Sequence, residues 1–224
     1  MPPLSSTKEL LTFLNTFGLL DIVKELFLSA CEKNDLTTVR RFLPRGADVN
    51  WRRNKDSWSG LHIAAAGNYG GLLDLLLAQT GVDVNIRAKY NMTALMLACA
   101  FGHENIVRRL FQVTDIQLNC RDDGGWTALH KAVRHNSPAC VSALRELAGV
   151  DWNDTSNDGD YPLTMAVWCG LADILQIILT VPEPRLDLSV THSRGRNIAQ
   201  MAVESNAGDR QRCLELLSGD RRVD

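Results

Sequence analysis

The 224-residue chain is 22% charged and 45% hydrophobic, ordinary composition for a globular protein with a sizeable core. A formal net charge of −2 argues against a dedicated nucleic-acid binder, which needs a basic excess. No apolar run reaches the roughly 18 residues of a membrane-spanning helix. Met1-Pro2-Pro3-Leu4-Ser5 has neither a basic n-region nor a cleavage pattern, and the cysteines (31, 99, 120, 140, 169, 213) form no Cys-x-x-Cys pair. Buried or indifferent thiols in a reducing, intracellular setting are expected, with a cytoplasmic or nuclear location.

Residues 4–17 read as a helix: Ser6 and Glu9 have capping-box spacing, and Leu10, Phe13, Leu14 and Phe17 share one face. Gly18 fits a left-handed stop. This segment, 1–18, lies outside the repetition that follows, and its expected role is to cover one end of a stack.

From about residue 19 the sequence repeats. Thr127-Ala128-Leu129-His130 returns 34 residues earlier as Thr93-Ala94-Leu95-Met96, another 34 earlier as Ser59-Gly60-Leu61-His62, and 34 later as Tyr161-Pro162-Leu163-Thr164. A small-residue position (Ser29, Ala64, Ala98, Ala132, Ala166, Ala202) and a turn position (Asn50, Asn85, Asn119, Asn153, Ser189) drift together. Six units follow: 19–50, 51–85, 86–119, 120–153, 154–189 and 190–224.

Each unit reads as two short antiparallel helices. In the first these are about 22–33, carrying Leu26, Phe27, Ser29 and Ala30, and 36–43. In the fourth, Thr127 can cap the first helix, Leu129 points into the core and Ala132-Val133 permits close approach. The second helices are greasier: Leu72, Leu75 and Leu76; Ile106, Val107, Leu110 and Phe111; Val141, Leu144 and Leu147; Ile174, Leu175, Ile178 and Leu179. Gly46, Gly81 and Gly149 are expected to stop them in the left-handed conformation. Pro182-Glu183-Pro184 must be loop.

This pattern resembles the ankyrin repeat, in which Asp-x-x-Gly-x-Thr-Pro-Leu-His-x-Ala-Ala opens each unit. The fourth unit matches best, through Asp122, Gly125, Thr127, Leu129, His130 and Ala132; the second keeps Leu61-His62-x-Ala64-Ala65. The third has Gly102-His103-Glu104-Asn105-Ile106-Val107, the fifth Gly159, Pro162 and Leu163, and the sixth is degenerate. The resemblance covers the chain from about residue 19. It implies an all-α repeat solenoid: a curved ankyrin repeat stack with first helices on the concave side, short β-hairpin fingers at 50–59, 85–93, 119–127 and 153–161, and an N-terminal capping helix. It also implies that His62, His130 and His103 are structural, and that proteins are bound through the fingers and concave helices.

Chemistry is otherwise sparse. No His or Cys set has metal spacing, and Gly70-Gly71 and Gly124-Gly125 do not open a phosphate site. The acidic run 151–160 lacks a calcium loop's spacing. The expectation is no enzyme and no cofactor; a thiol hydrolase using Cys169 or Cys120 is the least implausible catalytic alternative.

Positions the stack does not need carry the functional reading. Mapped on the ankyrin unit, the partner-binding set is Trp58, Ile63, Lys89, Tyr90, Met92, Leu97, Phe101, Trp126, Lys131, Arg134, Asp158, Asp160, Met165 and Trp168. Trp58, Met92 and Trp126 are equivalent and should form a row; the bland alternative is that both tryptophans pack on their own fingers. Arg52, Arg53, Lys55, Arg87 and Lys89 gather on the first two fingers and Asp151, Asp154, Asp158 and Asp160 on the fourth, which suggests a partner acidic towards the early units and basic towards the late ones.

The expected function is a non-catalytic interaction module for a protein or peptide segment, monomeric, binding neither nucleic acid nor membrane. It would be the recognition part of a larger adaptor or signalling protein; the alternative is a stand-alone inhibitor occluding an enzyme or transcription factor. Gly219-Asp-Arg-Arg-Val-Asp224 looks like the lead-in to a further finger, so a longer protein is expected. Asp83-Val84-Asn85, with Leu77 upstream, resembles the setting that ankyrin-directed hydroxylases modify.

Overall fold

The computed structural model describes residues 18–182, 185–191, 195–205 and 208–220. The expected capping helix over 4–17, residues 183 and 184 of the proline loop and the chain end at 221–224 lie outside them. Gly18 has the left-handed φ of +67° anticipated for a stop.

Among the described residues the helices come in pairs: α1 (Leu20–Glu32) and α2 (Leu36–Phe42); α3 (Gly60–Ala66) and α4 (Gly70–Leu77); α5 (Ala94–Ala100) and α6 (Glu104–Leu110); α7 (Ala128–Arg134) and α8 (Pro138–Arg145); α9 (Pro162–Trp168) and α10 (Ala172–Leu179); α11 (Ile198–Glu204) and α12 (Arg210–Gly219). Helices of two turns are marginal alone, so caps and stacking must hold them. The Thr127 hydroxyl accepts from the His130 amide, Thr93 does the same for Met96 and Asn197 for Gln200. Pro138 and Pro162 occupy first-turn positions where no amide partner is lost.

The pairs stack into two layers. Odd-numbered helices pack on one another from α1 to α11, and even-numbered ones from α2 to α12. Leu61, Leu95, Leu129 and Leu163 are buried between them, and Ala64, Ala98, Ala132 and Ala166 are fully enclosed at the closest approach. The even layer contributes Ile106, Val107, Leu110, Val141, Leu144, Ile174, Leu175 and Ile178, all buried. This is an all-α repeat solenoid.

Four local expectations change. In α4 the buried residues are Leu72, Leu73 and Leu76, with Leu73 in place of the expected Leu75, which is half-buried; a run of leucines on every side conceals which face turns inward. Leu26 is 55% exposed, and Leu28 and Cys31 take the inward positions with Phe27 and Ala30. Gly149 is not left-handed, unlike Gly46 and Gly81.

The fingers, finally, are not paired strands. Among the described residues the sole β feature is an isolated antiparallel bridge, Arg52 to Ser59. Each finger is a tight turn in which an amide reaches across to the far side: Arg53 to the Trp58 carbonyl at 2.8 Å, Ala88 to Met92 at 2.8 Å, Asp122 to Trp126 at 3.1 Å, Ser156 to Asp160 at 3.0 Å. Neighbouring fingers share single backbone–backbone bonds, from Lys89 to the Asp56 carbonyl, Asp123 to Tyr90 and Asn157 to Gly124, with side-chain bonds beside them. One backbone bond per neighbour makes a linked edge, not a ladder.

Candidate protein-interaction surface

The surface is held in place by side chains repeated from unit to unit. His62 is buried; its Nδ1 accepts from the Ser59 amide at 3.2 Å, so that nitrogen carries no proton and Nε2 donates to the Met92 carbonyl at 3.0 Å in the next unit. His130 repeats this with the Thr127 amide at 3.2 Å and the Asp160 carbonyl at 3.0 Å. Burial pushes the His62 imidazole down to about 4 and lowers that of His130, so both are neutral links near pH 7. In the third unit the equivalent residue is Met96, buried and without that link.

A second set joins the loops. The Asn50, Asn85, Asn119 and Asn153 amides each donate to a carbonyl and accept an amide of the following unit; for Asn85 these are Asp115 O at 2.7 Å and Gln117 N at 2.8 Å. A third set was legible only as charge. Arg52 donates to the Arg87 carbonyl, Arg87 to that of Arg121, and Arg121 to that of Thr155 while pairing with Asp154. Arg53 is paired to both Glu32 and Asp56. Arg52, Arg53, Arg87 and Asp154 are thus structural, which weakens the end-to-end polarity of charge anticipated for the fingers.

Of the proposed contact residues, one group lines the floor. Ile63, Leu97 and Met165 are buried on the first helices. Trp58, Met92 and Trp126 are half-buried at the finger bases. The Arg53 guanidinium lies 5.2 Å from the Trp58 ring centre, and Lys131 Nζ lies 5.1 Å from that of Trp126. Lys131 also pairs with Asp122 at 2.6 Å, and that carboxylate accepts the Gly124 and Trp126 amides, which shapes the finger. Trp58 is thus covered by a residue of its own finger and Trp126 by one of α7, and each tryptophan stays partly exposed.

A second group protrudes. Tyr90, Phe101 and Trp168 are 63%, 55% and 46% exposed. Tyr90 sits at a finger tip with φ of +61°, an unfavourable conformation for an aromatic residue, with Lys89 5.0 Å from its ring centre. Phe101 stacks on His103, which bonds the Ala66 carbonyl at 3.0 Å. Arg134 and Asp158 are exposed, and Asp160 is half-buried with its carbonyl held by His130.

Trp126, Arg134, Asp160, Met165 and Trp168 come together around a cavity of about 310 Å³, completed by Thr164, Cys169 and Met201. A neighbouring hollow that shares Trp126 and Arg134 with it is also lined by Asp122, Gly124, Lys131 and His135. Met201 gave no signal in the sequence, because the sixth unit departs from the repeat pattern there.

Burial raises the Cys120 thiol, which contacts the Gln117 side chain and not a base; Cys169 caps α9 beside the cavity. Among the described residues no group of three or more His, Cys, Asp or Glu side chains could hold a metal, and no helix is long and apolar enough to cross a membrane.

Paired short helices in two layers, linked fingers and a side-chain-rich inner surface define a helical repeat protein. A family signature for ankyrin repeats (3 copies) matches residues 26–122, 61–156 and 113–191, well over half of the chain, and the chain belongs to the ankyrin-repeat family. It is 30% identical over 174 residues to a putative ankyrin repeat protein, FPV031, of Fowlpox virus, covering 75% of this chain and 50% of that protein. It is 33% identical over 130 residues to a probable E3 ubiquitin-protein ligase, XBOS32, of Oryza sativa, covering 57% of this chain and 25% of the ligase. It is 35% identical over 94 residues to alpha-latrotoxin-Lhe1a of Latrodectus hesperus, covering 42% of this chain and 6% of the toxin. The chain therefore spans at most half the length of these relatives. Ankyrin repeats generally mediate protein–protein interaction.

Proposed function

We propose that this chain is a non-catalytic recognition module that binds a segment of a partner protein along its concave face and fingers, as part of a larger adaptor or signalling protein. One observation carries the reading: Tyr90, Phe101 and Trp168 stand exposed although they are large and aromatic, and Trp168 lines one cavity with the half-buried Trp126. Aromatic residues of this kind dominate binding hot spots. The relatives' greater length suits a role within a longer protein. Six cysteines without a disulfide fit a cytoplasmic or nuclear setting.

The test is affinity capture with the wild-type chain beside a Phe101→Ala/Trp168→Ala variant and a Trp58→Ala/Trp126→Ala variant, each checked for unchanged thermal unfolding. A genuine partner is retained by the wild type and lost by at least one variant. Identical retention by all three baits, with folding intact, refutes the concave reading. Asn85 is put forward as a hydroxylation acceptor on resemblance alone; mass spectrometry after exposure to an ankyrin-directed hydroxylase should show one added oxygen at Asn85, and an unmodified residue sinks that idea.

A further inference from the structure

We propose that units four to six take an extended acidic segment of the partner, with one bulky apolar side chain seated in the cavity between Trp126 and Trp168 and a neighbouring carboxylate held by Arg134. The inference deepens the interaction reading above and rests on it.

The cavity explains the apolar half. Its volume of about 310 Å³ lies at the small end of the range for ligand sites, room for one large side chain. Its lining comes from two fingers, through Trp126 and Asp160, and from α7, α9 and α11; it includes Trp168 and the two methionines Met165 and Met201, whose flexible thioethers adapt to an inserted ring or branched chain. Both methionines are buried, so the site is part of the stacked structure and not a surface crease.

The neighbouring hollow explains the acidic half. It carries two cationic side chains, Lys131 and Arg134, against one acid, Asp122; His135 also lines it, but burial and those two cations lower its imidazole, which is neutral near pH 7. Lys131 and Asp122 satisfy each other at 2.6 Å. Arg134 makes no ion pair among the described residues, yet lines both the hollow and the cavity. A planar guanidinium there can grip a carboxylate with two parallel hydrogen bonds while the adjacent side chain enters the cavity.

Repeat geometry sets the spacing. Arg134 and Trp168 occupy equivalent positions at the ends of α7 and α9. Packed helices lie 8–10 Å apart and an extended chain advances about 3.3 Å per residue, so the acid and the apolar anchor should be separated by about three residues.

The experiment selects a displayed random peptide library on the full chain. Retained peptides are then measured by fluorescence anisotropy against the wild type and the Arg134→Glu, Trp168→Ala and Trp58→Ala variants, each with wild-type melting. The proposal expects enrichment of Asp or Glu about three residues from Phe, Trp, Leu or Met, and losses of roughly tenfold or more with Arg134→Glu and with Trp168→Ala. Peptides that are basic or lack an acid, or that bind Arg134→Glu unchanged, overturn it. If they still depend on Trp58, the interaction module stands and this site falls. Peptides indifferent to all three variants, or no enrichment at all, count against both readings. A fluorescent single-stranded oligonucleotide is the companion probe; if it binds through Arg134 while acidic peptides do not, the partner is not a protein segment and the proposal is wrong.

Discussion

Replacing His62 by Met separates packing from linkage, because the third unit already carries Met96 at the same position and buries it completely. The replacement keeps an apolar filling but deprives the buried Ser59 amide of its acceptor and the Met92 carbonyl of one donor; that carbonyl keeps its bond from Ala88. An orphaned buried donor costs about 1–3 kcal/mol, the expected loss at pH 7. The pH dependence is more diagnostic. Burial dominates the shift of His62 to about 4, with Met92's carbonyl and Asp56 opposing it and Arg52 reinforcing it. Between that value and the ordinary 6.5, the unfolded chain takes up a proton that the folded chain refuses, so stability falls as pH falls through this window. From pH 7 to pH 5 the loss attributable to this one imidazole is about 2 kcal/mol. Urea unfolding of both proteins across that range, followed by tryptophan fluorescence and circular dichroism, should show the wild type declining more steeply and the gap to His62→Met closing by that amount. Parallel stability–pH lines would refute the assignment of His62 as a buried neutral link.

Further outcomes follow from the same geometry. Leu129→Ala should lower unfolding stability by about 2–5 kcal/mol, since the side chain is enclosed between α7 and its neighbours; unchanged urea midpoints would contradict this. Gly125→Ala should also destabilise, by about 1–3 kcal/mol, because φ is +76° and an added Cβ would meet the Asn157 backbone nitrogen at 2.7 Å; thermal melting reads the loss. Asn85→Ala removes both bonds to the following loop and should cost about 1–2 kcal/mol, with amide exchange quickening first around Gln117.

The 34-residue period made the helix pairs and their leucine–alanine core legible, because burial repeats with the unit. It could not show which leucine of α4 faces inward, since neighbouring positions are chemically identical. Trp152 was missed as a core residue although it is buried, in the loop register of Val49 and Val84; its indole NH has no partner among the described residues. The site was half legible. Repeat equivalence brought these residues to matching positions of successive units, but only three-dimensional packing distinguishes Ile63, Leu97 and Met165, which are buried, from Phe101 and Trp168, which protrude. Arg52, Arg87 and Arg121 read as surface charge because a guanidinium reaching a carbonyl of the next unit leaves no local pattern beyond the period itself.

The central claim is that the concave face and fingers, not the even-numbered helices, receive the partner. Hydrogen–deuterium exchange of the chain with and without a partner that the wild type retains tests it directly. Protection should gather on the fingers and on α5, α7 and α9, around Tyr90, Phe101, Trp126 and Trp168. Protection confined to α4, α6, α8 and α10 would contradict it.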